Sequence, residues 1–320
     1  MANKNHIRIG TRGSALALWQ TDYISSELLR INPGLRIEKI IIKTTGDIIL
    51  DSPLSTIGDK GLFTKEIEKA MLDNKIDLAV HSMKDLPTVL ADGLTIGLVT
   101  QREDVRDVFI SHPGKSYNTL DEVKNGGRIA TGSLRRKSQL LYYRPDIVTV
   151  DIRGNLNTRR KKLEESDWDG MLLARAGVTR LGWDELVTEI LDLEIMLPAV
   201  GQGALAVEIR EDDHILASLI QPLEDTATRR AITAERSLLR KLEGGCQVPI
   251  GAYARQDKDI LRMDAVVGSL DGQRMIRNRI EGPPSNAQAL GEKLADMLRK
   301  QGADAILAEI RAADENDARS

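Results

Sequence analysis

Cysteine is almost absent from this sequence, since Cys246 is the only one among 320 residues. A single thiol excludes an internal disulfide and a multi-cysteine metal site, and it suits a reducing compartment. Long apolar runs are missing too: no segment approaches the ~18 consecutive apolar residues of a membrane helix, and residues 1–10 contain no stretch of the signal-peptide type. We therefore expect a mature cytoplasmic protein with no metal site and no membrane contact.

Aromatic residues make up only 3% of the chain, which argues against base-stacking platforms for single-stranded nucleic acid. An excess of positive charge is also missing, because 45 Lys and Arg residues face 48 Asp and Glu residues. The resulting net charge of −3 does not provide the positive field that broad nucleic-acid binding requires. We expect no nucleic-acid partner, and any basic function has to be local.

The chain does contain short apolar strands that alternate with longer helical patterns, over a length sufficient for about two or three domains. The first set comprises strands 7–9, 37–42 and 77–80 with helices 14–29 and 63–72. The second comprises strands 128–130, 147–152 and 170–173 with helices 134–143 and 156–165. This alternation predicts two similar α/β domains.

The last hundred residues follow a different pattern. A long helix pattern at 226–242 precedes strand-like runs at 251–255, 261–269 and 275–281, and another helix pattern covers 286–300. The turn at 270–273 marks a hairpin between the last two runs. We expect a small α+β domain here, followed by a polar tail that is frayed after about residue 312.

Two strand-to-helix turns resemble each other, one at 7–14 and one at 128–133, because both end in Thr, Gly and Ser. Backbone N–H groups and the positive end of the helix dipole coincide at such turns and bind anions. Ser14 and Ser133 could instead be simple N-caps. The arginines at both turns, Arg12 in one and Arg135 with Arg136 in the other, keep the anion-binding interpretation open beside capping.

Residues 128–180 carry twelve basic and six acidic side chains, a local excess of six positive charges. Most charge runs are solvated faces, and the run at 160–162 fits that description. Arg153 directly follows a predicted strand, and Arg159 lies in the first turn of the next helix, at the strand edge where α/β proteins bind ligands. Arginine pairs with carboxylate or phosphate through two hydrogen bonds. We therefore expect a ligand with several anionic groups.

The segment 77–87 runs from an apolar strand into a polar turn that ends at a proline. Ser82, Lys84 and Asp85 lie at the end of that strand. An Asp next to a Lys is ordinarily a surface ion pair of little energetic weight. In a cleft lined by arginines, the same carboxylate could donate a proton or stabilise a cation.

Cys246 follows two glycines just after the long helix pattern, an arrangement that suits either a presented thiol or a plain loop. Nucleophilic catalysis by this thiol would require a histidine base. None of the four histidines is obviously placed for that role: they are His6, His81, His112 and His214. A covalent attachment point fits better than a catalytic dyad.

Together these motifs resemble the hydroxymethylbilane synthase, or porphobilinogen deaminase, family over nearly the whole chain. Five segments carry the resemblance in the right order: 80–87 (VHSMKDLP), 132–136 (GSLRR), 153–159 (RGNLNTR), 198–203 (PAVGQG) and 242–246 (LEGGC). The resemblance implies two domains like those of periplasmic binding proteins and a third that carries the cysteine. It also implies that the chain recrosses into the first domain near 203–220. We accordingly expect domain 1 at 1–103 and 203–221, domain 2 at 104–202 and domain 3 at 222–320.

The resemblance implies that Cys246 holds a dipyrromethane cofactor through a thioether. Four porphobilinogen units are then added head to tail with loss of ammonia, and water releases hydroxymethylbilane. Asp85 is the implied catalytic residue, contacting pyrrole N–H groups, assisting ammonia loss and stabilising the azafulvene cation.

Each pyrrole ring bears an acetate and a propionate, so the family's pattern assigns carboxylate binding to many residues. The implied cofactor-binding residues are Ser82, Lys84, Thr131, Ser133, Arg135, Arg136, Arg153 and Gly154. The implied substrate-binding residues are Arg12, Ser14, Arg153, Arg159, Arg180 and Gln202. Residues 48–60 and the ending 58–63 resemble the family's mobile loop over the site, and Lys60 and Phe63 are assigned to that loop. Arg175 departs from the family pattern, and its role as a carboxylate ligand or a surface charge stays open.

A non-catalytic alternative exists, because two α/β lobes around a cleft also serve solute receptors and regulatory effector domains. Such proteins need neither Asp85 nor a cysteine after two glycines, and no appended pair of DNA-binding helices is visible. RNA binding by the basic region would require interleaved aromatic residues, which are missing. We therefore expect a monomeric transferase of tetrapyrrole biosynthesis whose partners are porphobilinogen and the growing oligopyrrole.

Overall fold

The computed structural model describes residues 5–48, 63–242 and 248–317. They form three sheets with helices packed against them. The central strands of the first two sheets are largely apolar and buried on both faces, as expected where helices cover a sheet. The fold class predicted from the sequence, two α/β domains and a small α+β C-terminal domain, is confirmed.

The first sheet has the strand order β2-β1-β3-β10-β4. Its strands are β1 (His6–Thr11), β2 (Arg36–Ile41), β3 (Leu78–Ser82), β4 (Leu94–Val99) and β10 (Leu205–Arg210). β1 is parallel to β2 and β3, whereas β10 is antiparallel to both of its neighbours. The helices of this part of the chain are α1 (Ala15–Ile31), α2 (Thr45–Ile48), α3 (Lys65–Leu72) and α7 (His214–Ile220).

The second sheet repeats this arrangement with the order β7-β6-β8-β5-β9. Its strands are β5 (Asp107–Ser111), β6 (Arg128–Ala130), β7 (Val148–Val150), β8 (Gly170–Ala174) and β9 (Glu189–Ile190). β6 is parallel to β7 and β8, and β5 is antiparallel to both of its neighbours. Three helices belong to this part: α4 (Leu134–Tyr143), α5 (Leu156–Glu164) and α6 (Arg175–Arg180). In both sheets, three parallel strands therefore end at one edge, where α/β proteins place ligands.

The third sheet is an antiparallel meander of β11 (Ile250–Asp257), β12 (Ile260–Gly268) and β13 (Met275–Gly282). Three helices accompany it: α8 (Thr226–Lys241), α9 (Ala287–Lys300) and α10 (Ala303–Asp317). Leu238, Leu294 and Ile306, from the three helices, pack into one buried core with the sheet. The frayed tail predicted after about residue 312 was wrong as far as Asp317, because the Ala-rich sequence of α10 favours helix.

Candidate active site

The turn that carries Asp85 follows directly from β3. Residues Met83–Asp85 form one turn of 3-10 helix, closed by a hydrogen bond from Leu86 N to Met83 O of 3.3 Å. Ser82, the last residue of β3, accepts a hydrogen bond from Gln20 Nε2 at 2.8 Å. Met83 and Leu86 are buried, whereas Asp85 between them is only partly buried. The apolar neighbours thus anchor the turn and leave the carboxylate accessible.

Lys84 points toward the middle of the molecule, where its Nζ donates to Gln202 Oε1 at 3.2 Å. Burial and the charge of Arg136 lower the pKa of Lys84 to about 8. The charge of Asp85 acts in the opposite direction and favours the ammonium. Lys84 is therefore a cation that would be stabilised by a further negative charge.

Asp107 links the arginines of α4 to Gln202, the residue that binds Lys84. It was not among the site residues predicted from the sequence. Its fully buried carboxylate accepts hydrogen bonds from Arg135 Nη1 at 2.7 Å and from Arg136 Nη2 at 2.8 Å. It also accepts one from Gln202 Nε2 at 2.8 Å. Burial favours the neutral acid, but the charges and hydrogen bonds of both arginines outweigh it and lower the pKa of Asp107 below its ordinary value.

Part of each guanidinium of Arg135 and Arg136 binds protein acceptors. Arg135 Nη1 also donates to Leu197 O at 2.6 Å, and Arg136 Nη1 donates to Leu172 O at 3.1 Å. Burial lowers the pKa of Arg135. The Nε atoms of both arginines are buried and have no hydrogen-bond partner among the described residues. A buried N–H group of this kind calls for an acceptor from elsewhere.

Arg159 and Arg153 lie around the start of α5. Arg159 Nε donates to Gly154 O at 2.9 Å, and Gly154 has φ +106°, a conformation that side-chain-bearing residues rarely adopt. Burial, followed by the charges of Arg136 and Arg153, lowers the pKa of Arg159 to about 10. Burial also lowers the pKa of Arg153. Both guanidinium groups keep their proton at neutral pH, so this end of the site is positively charged.

Arg180, the last residue of α6, links this helix to α1 and to the segment that precedes β10. Its Nη2 donates to Gly203 O at 2.6 Å, and its guanidinium lies 5.7 Å from the centre of the Trp19 ring on α1. Burial lowers the pKa of Arg180. Arg175, whose role stayed open, pairs with Asp184 Oδ1 at 2.6 Å.

The two strand-to-helix turns behave differently from each other. Ser14 caps α1, accepting a hydrogen bond from Ala17 N at 3.3 Å. Ser133 makes no such capping bond, although its N donates to the Oγ1 of buried Thr131 at 3.3 Å. Capping is thus observed at one turn, and the hydroxyl of the other is not used in that way.

Arg12 stacks on Phe63, with its guanidinium carbon 4.2 Å from the ring centre. Such cation–π contacts attract a guanidinium to the face of an aromatic ring and restrict its position. Lys60 and Cys246 lie outside the described residues, as does most of the segment 48–60.

One pocket brings several predicted residues together. It is lined by Ser82, Lys84, Arg136, Arg159, Arg180 and Gln202, with Leu16, Leu156, Leu173, Ala174, Ala176, Gly177 and Gly203. Its described lining contains four cations and no carboxylate, so we call it the basic pocket. The predicted binding residues outside its lining are Arg12, Ser14, Thr131, Ser133, Arg135, Arg153 and Gly154.

The basic pocket and the unpaired Nε atoms fit a ligand that carries several carboxylates, and comparison with known proteins identifies the family. Residues 7–218 match the family model described as porphobilinogen deaminase, dipyromethane cofactor binding domain, and residues 229–300 match its C-terminal domain. The chain belongs to the porphobilinogen deaminase family. The resemblance inferred from the five motifs and the dipyrromethane cofactor it implied are confirmed.

Curated relatives cover nearly the whole chain. The porphobilinogen deaminase of Chlorobium phaeobacteroides (strain BS1) is 54% identical over 312 residues, covering 96% of this chain and 99% of the relative. That of Desulforamulus reducens is 50% identical over 309 residues, covering 97% of this chain and 99% of the relative.

Solved structures with a similar fold include two periplasmic binding proteins. The aliphatic sulphonate binding protein of Escherichia coli has a TM-score of 0.39 at 13% identity, covering 75% of this chain and 71% of that one. An arginine-specific protein of Salmonella typhimurium has a TM-score of 0.39 at 13% identity, covering 70% and 94%.

No helix in the described parts of the chain has both the length and the apolar character required to span a membrane. No group of three or more His, Cys, Asp or Glu side chains there could hold a metal ion.

Proposed function

We propose that this protein is a hydroxymethylbilane synthase, a transferase of tetrapyrrole biosynthesis that condenses four porphobilinogen molecules head to tail with loss of ammonia. Family membership supports this assignment over the full length. The observation in the structure that carries it is the basic pocket, whose lining includes Lys84, the residue before Asp85. Each added pyrrole brings two carboxylates that need cationic partners such as those of this pocket.

The basic pocket binds and orients the side chains of the oligopyrrole. Lys84, Arg159 and Arg180 provide positive charge at neutral pH, and burial weakens the competition from water. Asp107 and Gln202 position Lys84 and Arg136 by direct hydrogen bonds. Arg12, Ser14, Thr131, Ser133, Arg135, Arg153 and Gly154 complete the proposed binding set, with Phe63 orienting Arg12.

Asp85 is the proposed catalytic residue. Its negative charge acts on Lys84 and on Arg159, as the pKa effects on both groups indicate, so it lies at the edge of the basic pocket. There it stabilises the positive charge left on a substrate ring when ammonia leaves, and it accepts hydrogen bonds from pyrrole N–H groups. The substrate's methylene carbon, whose C–N bond has broken, then forms a C–C bond to the ring carbon that attacks it, and that attacking ring carbon loses its proton.

Cys246 is the proposed attachment point of the dipyrromethane, which supplies the pyrrole carbon to which the first substrate unit is joined. The buried Nε atoms of Arg135 and Arg136 fit its carboxylates, because both donors have no partner among the described residues.

The domain boundaries proposed are 1–103 with 203–221, 104–202, and 222–320. Membership of β10 and α7 in the first core supports the return of the chain into domain 1. We further propose a monomeric cytoplasmic enzyme that contacts neither membrane nor nucleic acid.

The purified protein tests this function directly when it is incubated with porphobilinogen. We expect one ammonia released for every porphobilinogen consumed, and a linear tetrapyrrole as the product detected by mass spectrometry. Substrate that binds tightly without ammonia release would favour the alternative, a two-lobed anionic-ligand-binding or regulatory protein.

A further inference from the structure

Helix α8 presents one face to the turn that carries Asp85. Ile232, Arg236 and Arg240 are spaced four residues apart and therefore lie along one side of the helix. Ile232 packs in one buried cluster with Met83 and Leu86, the residues that flank Lys84 and Asp85. The C-terminal domain thus contacts the proposed catalytic turn through its longest helix.

The two arginines of this face bind the backbone immediately after Asp85. Buried Arg236 donates from Nη1 to Leu86 O at 3.2 Å and from Nη2 to Pro87 O at 2.6 Å. Exposed Arg240 donates from Nη2 to Thr88 O at 2.5 Å. Three consecutive carbonyls are therefore held by one helix, and Pro87 has no N–H with which to form a strand or helix bond of its own.

Glu235, the residue before Arg236, binds two other segments of the chain. Fully buried Glu235 accepts hydrogen bonds from Arg102 Nη2 at 3.1 Å and from Gly201 N at 2.8 Å. Gly201 precedes Gln202, which binds Lys84. Consecutive residues of α8 therefore fix the Asp85 turn and the segment that faces it.

We propose that Arg236, assisted by Arg240, is a positioning residue that sets the place of Asp85 relative to the basic pocket. This inference rests on the proposed role of Asp85. A guanidinium that spans two carbonyls restrains the turn in two directions, which a single ammonium or an apolar side chain cannot do. A shift of the turn would move the carboxylate away from the reacting ring while leaving the arginines of the basic pocket in place.

The test compares Arg236→Met, Arg236→Lys and Arg240→Met with Arg230→Met in the full-length holoenzyme. Arg230 is a matched control, because it is an exposed arginine of the same helix whose Nη1 contacts Gln256 within the C-terminal domain at 3.4 Å. We expect Arg236→Met to lower kcat about ten- to a hundredfold, the range for a misplaced catalytic group, with KM for porphobilinogen nearly unchanged. Arg236→Lys should fall between this variant and the wild type, and Arg230→Met should match the wild type.

Intact mass, thermal unfolding and hydrogen exchange separate positioning from simple loss of structure. We expect the cofactor mass to be retained, and faster exchange confined to peptides covering 80–90. A kcat loss matched by loss of cofactor or of folded protein, an equal loss in Arg230→Met, or a rise in KM at constant kcat would overturn the proposal.

If Arg236→Met does not fold, Arg236→Lys and Arg240→Met decide, and wild-type kcat in both would reject the inference. A wild-type protein that makes no tetrapyrrole would instead reject the proposed function. The exchange comparison would then still show whether α8 restrains the turn.

Discussion

Asp85 is a partly exposed carboxylate near several cations, and its charge is the property that the proposed chemistry requires. Replacing Asp85 with Asn keeps the shape of the side chain but removes the charge and turns one acceptor oxygen into a donor NH2 group. We expect turnover to fall by about 10²-fold or more, the range for a positioned acid or base, with the cofactor still attached. Steady-state kinetics with intact mass measures both quantities, and near-normal rates would make Asp85 an ordinary surface carboxylate.

Lys84 should report the arrival of a ligand carboxylate through its own titration. Its pKa is lowered to about 8 by burial and by Arg136, and a bound carboxylate opposes both effects by favouring the ammonium. We therefore expect the pKa to be about 8 without the cofactor and higher in the holoenzyme. Because binding raises the pKa, ligand binding is favoured at low pH and weakens as the pH rises through 8.

Isotope-labelled lysine in the wild type and in Cys246→Ala allows this titration to be followed by NMR, and Lys84→Arg identifies the resonance. Equal pKa values in the two forms would contradict a ligand carboxylate at Lys84.

The residues proposed to bind the ligand and to catalyse the reaction could be predicted from the sequence. The side chains of this chain that hold them in place could not. The motif around Lys84 and Asp85 pointed to the site, whereas Asp107 precedes the apolar run Val108–Ile110 and belongs to no motif. Its signal was physical: a carboxylate entering a buried strand requires cationic partners, and the paired arginines at 135 and 136 were available. Sequence spacing does not reveal that these partners meet, because 28 residues separate Asp107 from Arg135.

Helices α4 and α5 both carry arginines, and only some of those side chains enter the site. Arg136 on α4 lines the basic pocket, whereas Lys161 on α5 is exposed and pairs with Glu165 at 3.7 Å. We expect Arg136→Met to block the start of assembly, because a carboxylate partner is lost. Lys161→Met should extend normally, since exposed pairs contribute little.

Intact mass after a brief exposure to porphobilinogen separates the two variants of this comparison. We expect unextended enzyme for Arg136→Met and a wild-type series of elongated species for Lys161→Met. The thermal unfolding temperature of both variants is measured as well, because Arg136→Met also removes a partner of buried Asp107. The same unextended mass in both variants would indicate general destabilisation.

At the scale of elements, the sequence predicted the strands of the C-terminal sheet most closely. The three strands of the C-terminal sheet lie within one or two residues of their expected bounds. No strand was expected at 94–99, where β4 lies, because Thr95 and Gly97 interrupt its apolar pattern. The helix α10 was not expected either; Gly302, with φ +102°, separates it from α9.

At the scale of the whole molecule, one buried ion pair joins segments that lie far apart in the sequence. Arg102 binds Glu235 on α8 and also donates from Nε to Gln202 O at 2.7 Å. Glu235 accepts from Ala254 N in the C-terminal sheet at 2.7 Å. The pair therefore joins the end of the first sheet, the returning segment and the C-terminal domain. An ion pair this buried fixes the arrangement of the parts, since removing either partner would leave an uncompensated charge.

Cys246 is the one thiol that could attach a cofactor spanning this interface, because the sequence contains no other. A thioether to a pyrrole methylene persists through repeated cycles, whereas an oxygen ester would hydrolyse. We expect Cys246→Ala to fold, since one small side chain after two glycines contributes no more than ~1–2 kcal/mol, but to carry no pyrrole and make no product.

The thermal unfolding temperature of Cys246→Ala should nevertheless fall below that of the holoenzyme. A ligand that binds only the folded state stabilises it, and the variant loses that contribution. An acidic aldehyde reagent that colours pyrroles, applied to both proteins at equal concentration, tests the attachment. Asp85→Asn is the matched control, because it should retain colour while losing turnover. Colour in Cys246→Ala, or product formed by it, would place the cofactor on another residue.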